Sequence, residues 1–291
     1  MSTPQQPPTQ QSAPQAAPDW QAAAPGTSYA PYTSPIPITR THLGHALASE
    51  WTKIRSVRST IWTLGVFLLL VIGIGMLVAA QTTTEDFGKV PYTIPAFFGL
   101  VLGQICLITL GVLVVSSEYG TGMIRTTFTA SPQRHRVLAA KLIIFFAVAF
   151  VVSAFAIGFV GLVTESMHTG DGGEAWGGSV VMGALYVSLL GVLALAVGSM
   201  LRHSAGAITA MLGLVLVPAI LPGFLMLSEG MRTIAEKMME YNAPSALAKI
   251  FGLGGEDGSG GAGGGAQLGL LAGVTAAAIA GAFVLLDRRD V

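Results

Sequence analysis

Between Ser116 and Lys141 the chain reads SSEYGTGMIRTTFTASPQRHRVLAAK. One carboxylate, Glu118, stands at the head of this stretch; Gly120 and Gly122 follow, then Arg125, Ser131, Pro132, Arg134, His135, Arg136 and Lys141. Strongly apolar runs flank it on both sides. Residue types of this kind form ion pairs, shape a turn and dock on a partner. The segment therefore reads as a built structure that receives something, and not as a slack connector.

Chemistry of other kinds lacks its residues. No Gly-Lys-Ser/Thr grouping exists, since Lys89 is followed by Val90 and Lys141 is preceded by Ala140, so no phosphate loop is expected and the chain is not expected to hydrolyse ATP. There is no HExxH pair, no G-x-S-x-G elbow and no pair of intramembrane aspartates, which removes the usual grounds for a membrane protease or lipase. Cys106 is the single cysteine and lies in an apolar run, so an internal disulfide is excluded and the residue reads as a small buried apolar group. No metal or cofactor is expected in this chain.

The elements that must position the polar stretch are membrane spans. Of the 291 residues 52% are hydrophobic and only 10% charged, the composition of a multispan membrane protein. Formal net charge is zero, so nothing argues for nucleic acid. Six apolar runs, about 61–80, 92–116, 142–164, 178–200, 205–227 and 268–286, each approach the roughly 20 residues that a helix needs to cross about 30 Å of hydrocarbon. Barrel strands would be half as long and would alternate in polarity. The expected fold is an all-α integral membrane protein, with residues 61–290 forming a six-helix domain. None of the runs holds Asp, Glu, Lys, Arg or His, which disfavours an ion-coupled carrier.

Charge sets the orientation. With the N-terminus inside, Arg40, Lys53, Arg55, Arg58, Arg125, Arg134, Arg136, Lys141, Arg202, Arg288 and Arg289 are cytoplasmic, against Lys89, Arg232, Lys237 and Lys249 outside. That asymmetry predicts cytoplasmic N- and C-termini. Residues 1–38, rich in Pro, Gln, Ala, Ser and Thr, are too poor in large aliphatics to offset ordering entropy and are expected to be a disordered cytoplasmic tail.

Residues 39–60 read as an amphipathic interfacial helix. Leu43, Leu47, Trp51, Ile54 and Val57 share one arc, and Lys53, Arg55 and Arg58 can reach lipid headgroups. Glu50 breaks that arc, so it either snorkels outward or pairs with a basic residue of the protein. In the 116–141 stretch, glycine can end the second span, residues 121–129 can form a short helix across the membrane face, and Ser131-Pro132 reads as an N-cap with proline at the first helical position. Gln133 to Lys141 would then project from the bilayer as about two turns of the third span.

Small residues indicate packing. Gly99 and Gly103 mark the second span; Gly269, Gly273, Ala277 and Gly281 form a stripe on the last, serving either a subunit contact or, preferably, packing within the chain. Residues 229–251 suit one or two external amphipathic helices broken at Pro244, followed by a Gly-rich link over 252–267. Pro218 and Pro222 are expected to bend or break the fifth span.

EYGTGMIR at 118–125 followed by SPQRHRVLAAK at 131–141 resembles the signature of ABC-2-type permeases, the membrane subunits of bacterial ATP-binding cassette exporters. ASEWTKIRSVRSTIW at 48–62 is similar to the family's amphipathic entry helix. The resemblance covers about residues 40–290. It implies that 120–130 form a coupling helix docking on a separate nucleotide-binding ATPase subunit, with Glu118, Thr121, Gly122 and Arg125 at the most characteristic positions. It further implies a second permease subunit, identical or related, contact with membrane lipids, ATP and magnesium bound by the partner, and export of an amphiphilic or hydrophobic substrate. For Arg125, docking or pairing with Glu118 or Glu50 is preferred over simple positive-inside topology; for Arg134 and Arg136 the two readings are balanced. The alternative is a non-transporting scaffold, immunity or sensor protein that recruits a cytoplasmic partner.

Overall fold

The computed structural model describes residues 42–82, 91–130, 133–168, 176–253 and 263–288. The tail over 1–38, Ser131, Pro132 and most of the Gly-rich link lie outside the described residues. Those described are helical throughout, without strands, and six of the helices are long and apolar enough to cross a membrane.

Helix α1 (Leu43–Ser56) opens on a reciprocal cap between His42 and His45, whose rings stack 5.2 Å apart. It stops at Val57, a β-branched residue in extended conformation, and α2 (Arg58–Ala79) starts immediately after it. The first span thus begins at Arg58, with only one residue as a joint. Helix α3 (Ile94–Gly120) enters through Pro95, whose missing amide costs nothing in a first turn. It ends in a turn made by Gly122 at φ +72, a left-handed conformation that favours glycine. Gly120 stays inside the helix, so of the two glycines only Gly122 makes the turn.

The short helix α4 (Met123–Ala130) follows, then α5 (Arg134–Met167) with Gln133 as its N-cap. The helix start therefore lies two residues beyond the expected Pro132. At 1.5 Å per residue the 34 residues of α5 span about 50 Å, well over the ~30 Å of hydrocarbon. An end of α5 must project from the apolar slab. Helices α6 (Gly177–Leu201) and α7 (Ser204–Leu225) are joined by Arg202 and His203; Arg202 takes φ 56 and lays its guanidinium 5.0 Å from the centre of the Tyr119 ring. Helix α7 runs through Pro218 and Pro222 without interruption, so the expected break does not occur. One amide of α9's cap faces the freed region: Asn242 Nδ2 donates to the Pro218 carbonyl at 3.4 Å.

After a 3-10 turn (Glu229–Met231) come α8 (Arg232–Tyr241) and α9 (Ala243–Ile250), then α10 (Gly265–Arg288). Pro244 sits in the first turn of α9, which is why the segment breaks just before it. Helix α8 buries only Ala235, whereas α9 buries Ala246, Leu247 and Ile250, and the following Phe251 lies buried against Gly183.

Helices α3 and α6 form the centre of the bundle, α2 and α7 pack on α3, and α5 and α10 pack on α6. Glycine permits the closest crossings. A Cβ at Gly111 would stand 2.3 Å from the Gly191 carbonyl oxygen, and one at Gly99 would stand 2.5 Å from the Val71 Cα. At one end of the bundle Thr93 and Ser179 hydroxyls meet at 2.7 Å, and His168 bridges the carbonyls of Thr164 and Thr82 at 2.9 and 3.0 Å. The other end gathers α1, α4, the C-terminal turn of α3 and the N-terminal turns of α5.

Candidate functional site: a ring of charges at the root of the short helix

The apolar runs continue as helix past their own limits, and those extensions carry charge. Glu118 lies in the last turn of α3 and Lys141 two turns into α5; α1 brings Glu50 and Lys53, one turn apart, against both. The four side chains form a ring of alternating sign. Lys53 Nζ donates to Glu50 Oε1 at 2.8 Å and to Glu118 Oε1 at 2.9 Å. Lys141 Nζ donates to Glu50 Oε2 at 2.8 Å and to Glu118 Oε1 at 2.6 Å.

The ring is buried and electrically balanced. Side chains of Lys141, Glu50 and Glu118 are exposed by only 2, 5 and 9%, so each charge has given up its water and depends on its partners. Lys53 alone reaches solvent, with 28% of its side chain exposed. Partial burial disfavours its charge, but hydrogen bonds and attraction from Glu50 and Glu118 outweigh that and raise its pKa above the ordinary 10.5. Charged groups so placed are costly to bury and strongly destabilising to break singly, which makes the ring a device of geometry more than of net stability. It ties three helices at the two roots of α4.

Glu50 thus pairs inward, with two lysines, and does not snorkel. Arg125 is exposed and, among the described residues, forms no ion pair; Lys53 and Lys141 occupy the carboxylates that were open to it. Only the site's lysine on α5 lacked any assigned partner in the sequence. A signal existed: Glu118 and Lys141 each close an apolar run at the same end of adjacent spans, while Glu50 sits on an apolar arc, so three costly charges share one level.

The other predicted residues fall around the ring. Thr121 is the C-cap of α3, its hydroxyl donating to the Ser117 carbonyl at 2.9 Å, and Gly122 makes the turn into α4. On α4, Ile124 is buried while Met123 and Arg125 face outward. Arg134 covers the Phe128 ring at 5.5 Å, joining α5 back to α4. Arg55 lies 5.8 Å from the centre of the exposed Trp51 ring, and Arg58 is exposed at the start of α2.

The glycines divide. Gly99 and Gly103 pack on Val71 and Phe67 of α2, and a Cβ at Gly281 would stand 3.4 Å from Met200 Sδ of α6. Around Gly269 and Gly273 nothing lies within 4 Å, so within-chain packing does not account for that half of the stripe. Gly111, Gly191 and Gly198, which make the α3–α6 crossing, carry no four-residue repeat that would have singled them out in the sequence.

A cavity of about 240 Å³ opens beside the ring, between α1, the start of α2 and the end of α3, and is lined by Glu50, Lys53, Glu118 and Lys141, by Ser59 and Thr60 of α2, and by apolar residues of α1 and α3. No protein-family model and no curated protein matches the chain.

Proposed function

We propose that this chain is the membrane-spanning subunit of an ABC-2-type exporter, oriented with the α1/α4 end in the cytoplasm and driven by a separate ATPase subunit that docks on α4. The observation that carries this reading is the arrangement at the roots of α4: a short, outward-facing helix slung between two long ones that the Glu50–Lys53–Glu118–Lys141 ring ties to α1. A push on α4 would be shared by α1, α3 and α5 as one body instead of being lost in side-chain motion. Distribution of charge supports the orientation, because Lys53, Arg55, Arg58, Arg125, Arg134, Arg136, Lys141, Arg202 and Arg288 all belong to that end, against Arg232, Lys237 and Lys249 at the other.

In this mechanism ATP and magnesium are held by the partner, whose closure displaces the 120–130 segment. Long rigid spans carry the displacement to an apolar path formed with a second permease subunit, which suits an amphiphilic or hydrophobic cargo. The open half of the α10 stripe at Gly269 and Gly273 supplies a flat surface for such a neighbour.

The test is biochemical. The full chain, co-expressed with candidate ATPase subunits, should co-purify with one of them and support ATP-dependent movement of cargo in vesicles, and Arg125→Ala should abolish that movement while leaving the chain folded. A chain that binds a cytoplasmic protein without ATPase activity would be a scaffold or sensor instead.

A further inference from the structure

The cavity beside the ring has a specific hydrogen-bonding character. Glu118 is 7% exposed and lines it, and although Oε1 accepts from both lysines, Oε2 is buried and has no hydrogen-bond partner. A charged oxygen left unmatched in a buried site costs free energy until a donor fills it. Two hydroxyls share the wall, and both have already committed their hydrogens: Ser117 Oγ donates to the Leu113 carbonyl and Thr121 Oγ1 to the Ser117 carbonyl. Each therefore offers only lone pairs. At the end of α3 the wall therefore presents three acceptors and no side-chain donor.

Across from it stands Lys53, which uses two of its three N–H groups inside the ring and is part-exposed. Beside Lys53 the start of α2 adds the hydroxyls of Ser59 and Thr60, and the rest of the lining is apolar, with Ile54, Leu110 and Val114. The four ring charges sum to zero, so an anionic ligand gains no net attraction. A neutral ligand with a primary ammonium, an adjacent anion and an apolar continuation matches the acceptors of α3, the donors of Lys53, Ser59 and Thr60, and the aliphatic residues. The volume, about 240 Å³, is below the roughly 300–1,000 Å³ of a drug-sized pocket and fits a polar headgroup with its chains left outside.

We propose that this cavity binds the headgroup of an aminophospholipid of the phosphatidylethanolamine class, its ammonium donating to Glu118 Oε2, Ser117 Oγ and Thr121 Oγ1 and its phosphate facing Lys53. The site rests on the chain's residence in a bilayer and is independent of the exporter reading. Binding of this kind makes the joint between α1 and α3 sensitive to the surrounding lipid.

The full chain, purified and delipidated in detergent, would be titrated with dioleoyl phosphatidylethanolamine, phosphatidylcholine or phosphatidylglycerol in mixed micelles while its thermal unfolding midpoint is followed. Phosphatidylethanolamine should raise the midpoint at a concentration about tenfold or more below the others, the scale of one charge-assisted hydrogen bond, because choline has no N–H to donate and glycerol carries no ammonium. Val57→Trp, which fills the mouth from the exposed joint between α1 and α2, should erase the preference, and Thr121→Val should weaken it. Equal responses to the ethanolamine and choline lipids, or a preference intact in either variant, would overturn the proposal.

Discussion

Removing one lysine from a balanced ring should cost far more than removing a lysine and a glutamate together. Lys141→Met deletes two contacts of 2.6 and 2.8 Å, each a gross attraction of about 6 kcal/mol at an effective dielectric near 20. Part of that is recovered because the buried ammonium no longer has to be desolvated, and loss of one partner from a buried pair comes to about 3–5 kcal/mol net. What remains is a cluster of charge −1: Glu50 and Glu118 compete for Lys53. Adding Glu50→Gln restores neutrality and leaves Lys53 to Glu118 at 2.9 Å. The double variant should lie within about 2 kcal/mol of the parent, and since each single loss costs about 3–5 kcal/mol, the coupling energy between the two sites should be at least about 4 kcal/mol. Equilibrium unfolding in mixed micelles, followed by the fluorescence of the four tryptophans, one of them Trp51 on α1, measures both. Additive losses in the double variant would refute the ring as a coupled unit.

Packing predictions separate two classes of glycine. Gly111→Ala should destabilise by about 1–3 kcal/mol, since its methyl meets a backbone carbonyl that cannot move aside, whereas Gly273→Ala should stabilise the isolated chain by up to ~1 kcal/mol of helix propensity; paired thermal melts read the difference. Asn242 is buried, and its Oδ1 accepts from the Ser245 amide at 2.7 Å, so Asn242→Ala should cost about 1 kcal/mol in the same assay. The pH dependence follows from Lys53. Its pKa is raised in the folded protein, so its contribution is complete below the unfolded value near 10.5 and is lost as pH rises through the higher folded value. Lys53→Met should therefore flatten the alkaline limb of the stability profile above pH 10.5 and leave its shape between pH 6 and 9 unchanged.

Six helices could be placed from the sequence because a run of about 20 apolar residues has one stable state in hydrocarbon. Their ends could not, because hydropathy marks the slab and not the helix: α3 continues four residues past Ser116 to take in Glu118, and α5 begins eight residues before Leu142 to take in Lys141. The charged ring lies wholly in those extensions and in α1. Glu50 was legible as an anomaly, since a carboxylate on an apolar arc requires a partner, but its partners lie 3, 68 and 91 positions away along the chain, if the facing carboxylate is included, and helical phase within α1 identifies only the nearest. Arg125 attracted the pairing role because it stands close to Glu118 in sequence. Space reversed that order, for the turn at Gly122 carries Arg125 outward while α5 returns Lys141 to the ring. Proline does not break α7 for a related reason: the neighbouring Asn242 supplies a donor to the Pro218 carbonyl, so the helix need not stop there.

A joint between three helices can be made of packing alone, and buried ion pairs are often replaceable by aliphatic residues without loss of stability. The choice of charges here is then an argument about geometry. Two hydrogen bonds, of 2.9 and 2.8 Å, fix the rotation of α1 against α3 and α5, and a third of 2.6 Å joins α5 to α3, whereas methionines in the same volume would allow several packings. Converting Glu50, Lys53, Glu118 and Lys141 together to methionine should leave unfolding within about 2 kcal/mol of the parent or more favourable. If the chain works with an ATPase subunit as proposed, the complex carrying the same variant should retain ATP hydrolysis and lose most of the cargo movement coupled to it. Full coupling in that variant would show that α4 transmits force through its covalent roots alone, and that the ring serves only to neutralise charges placed there for another reason.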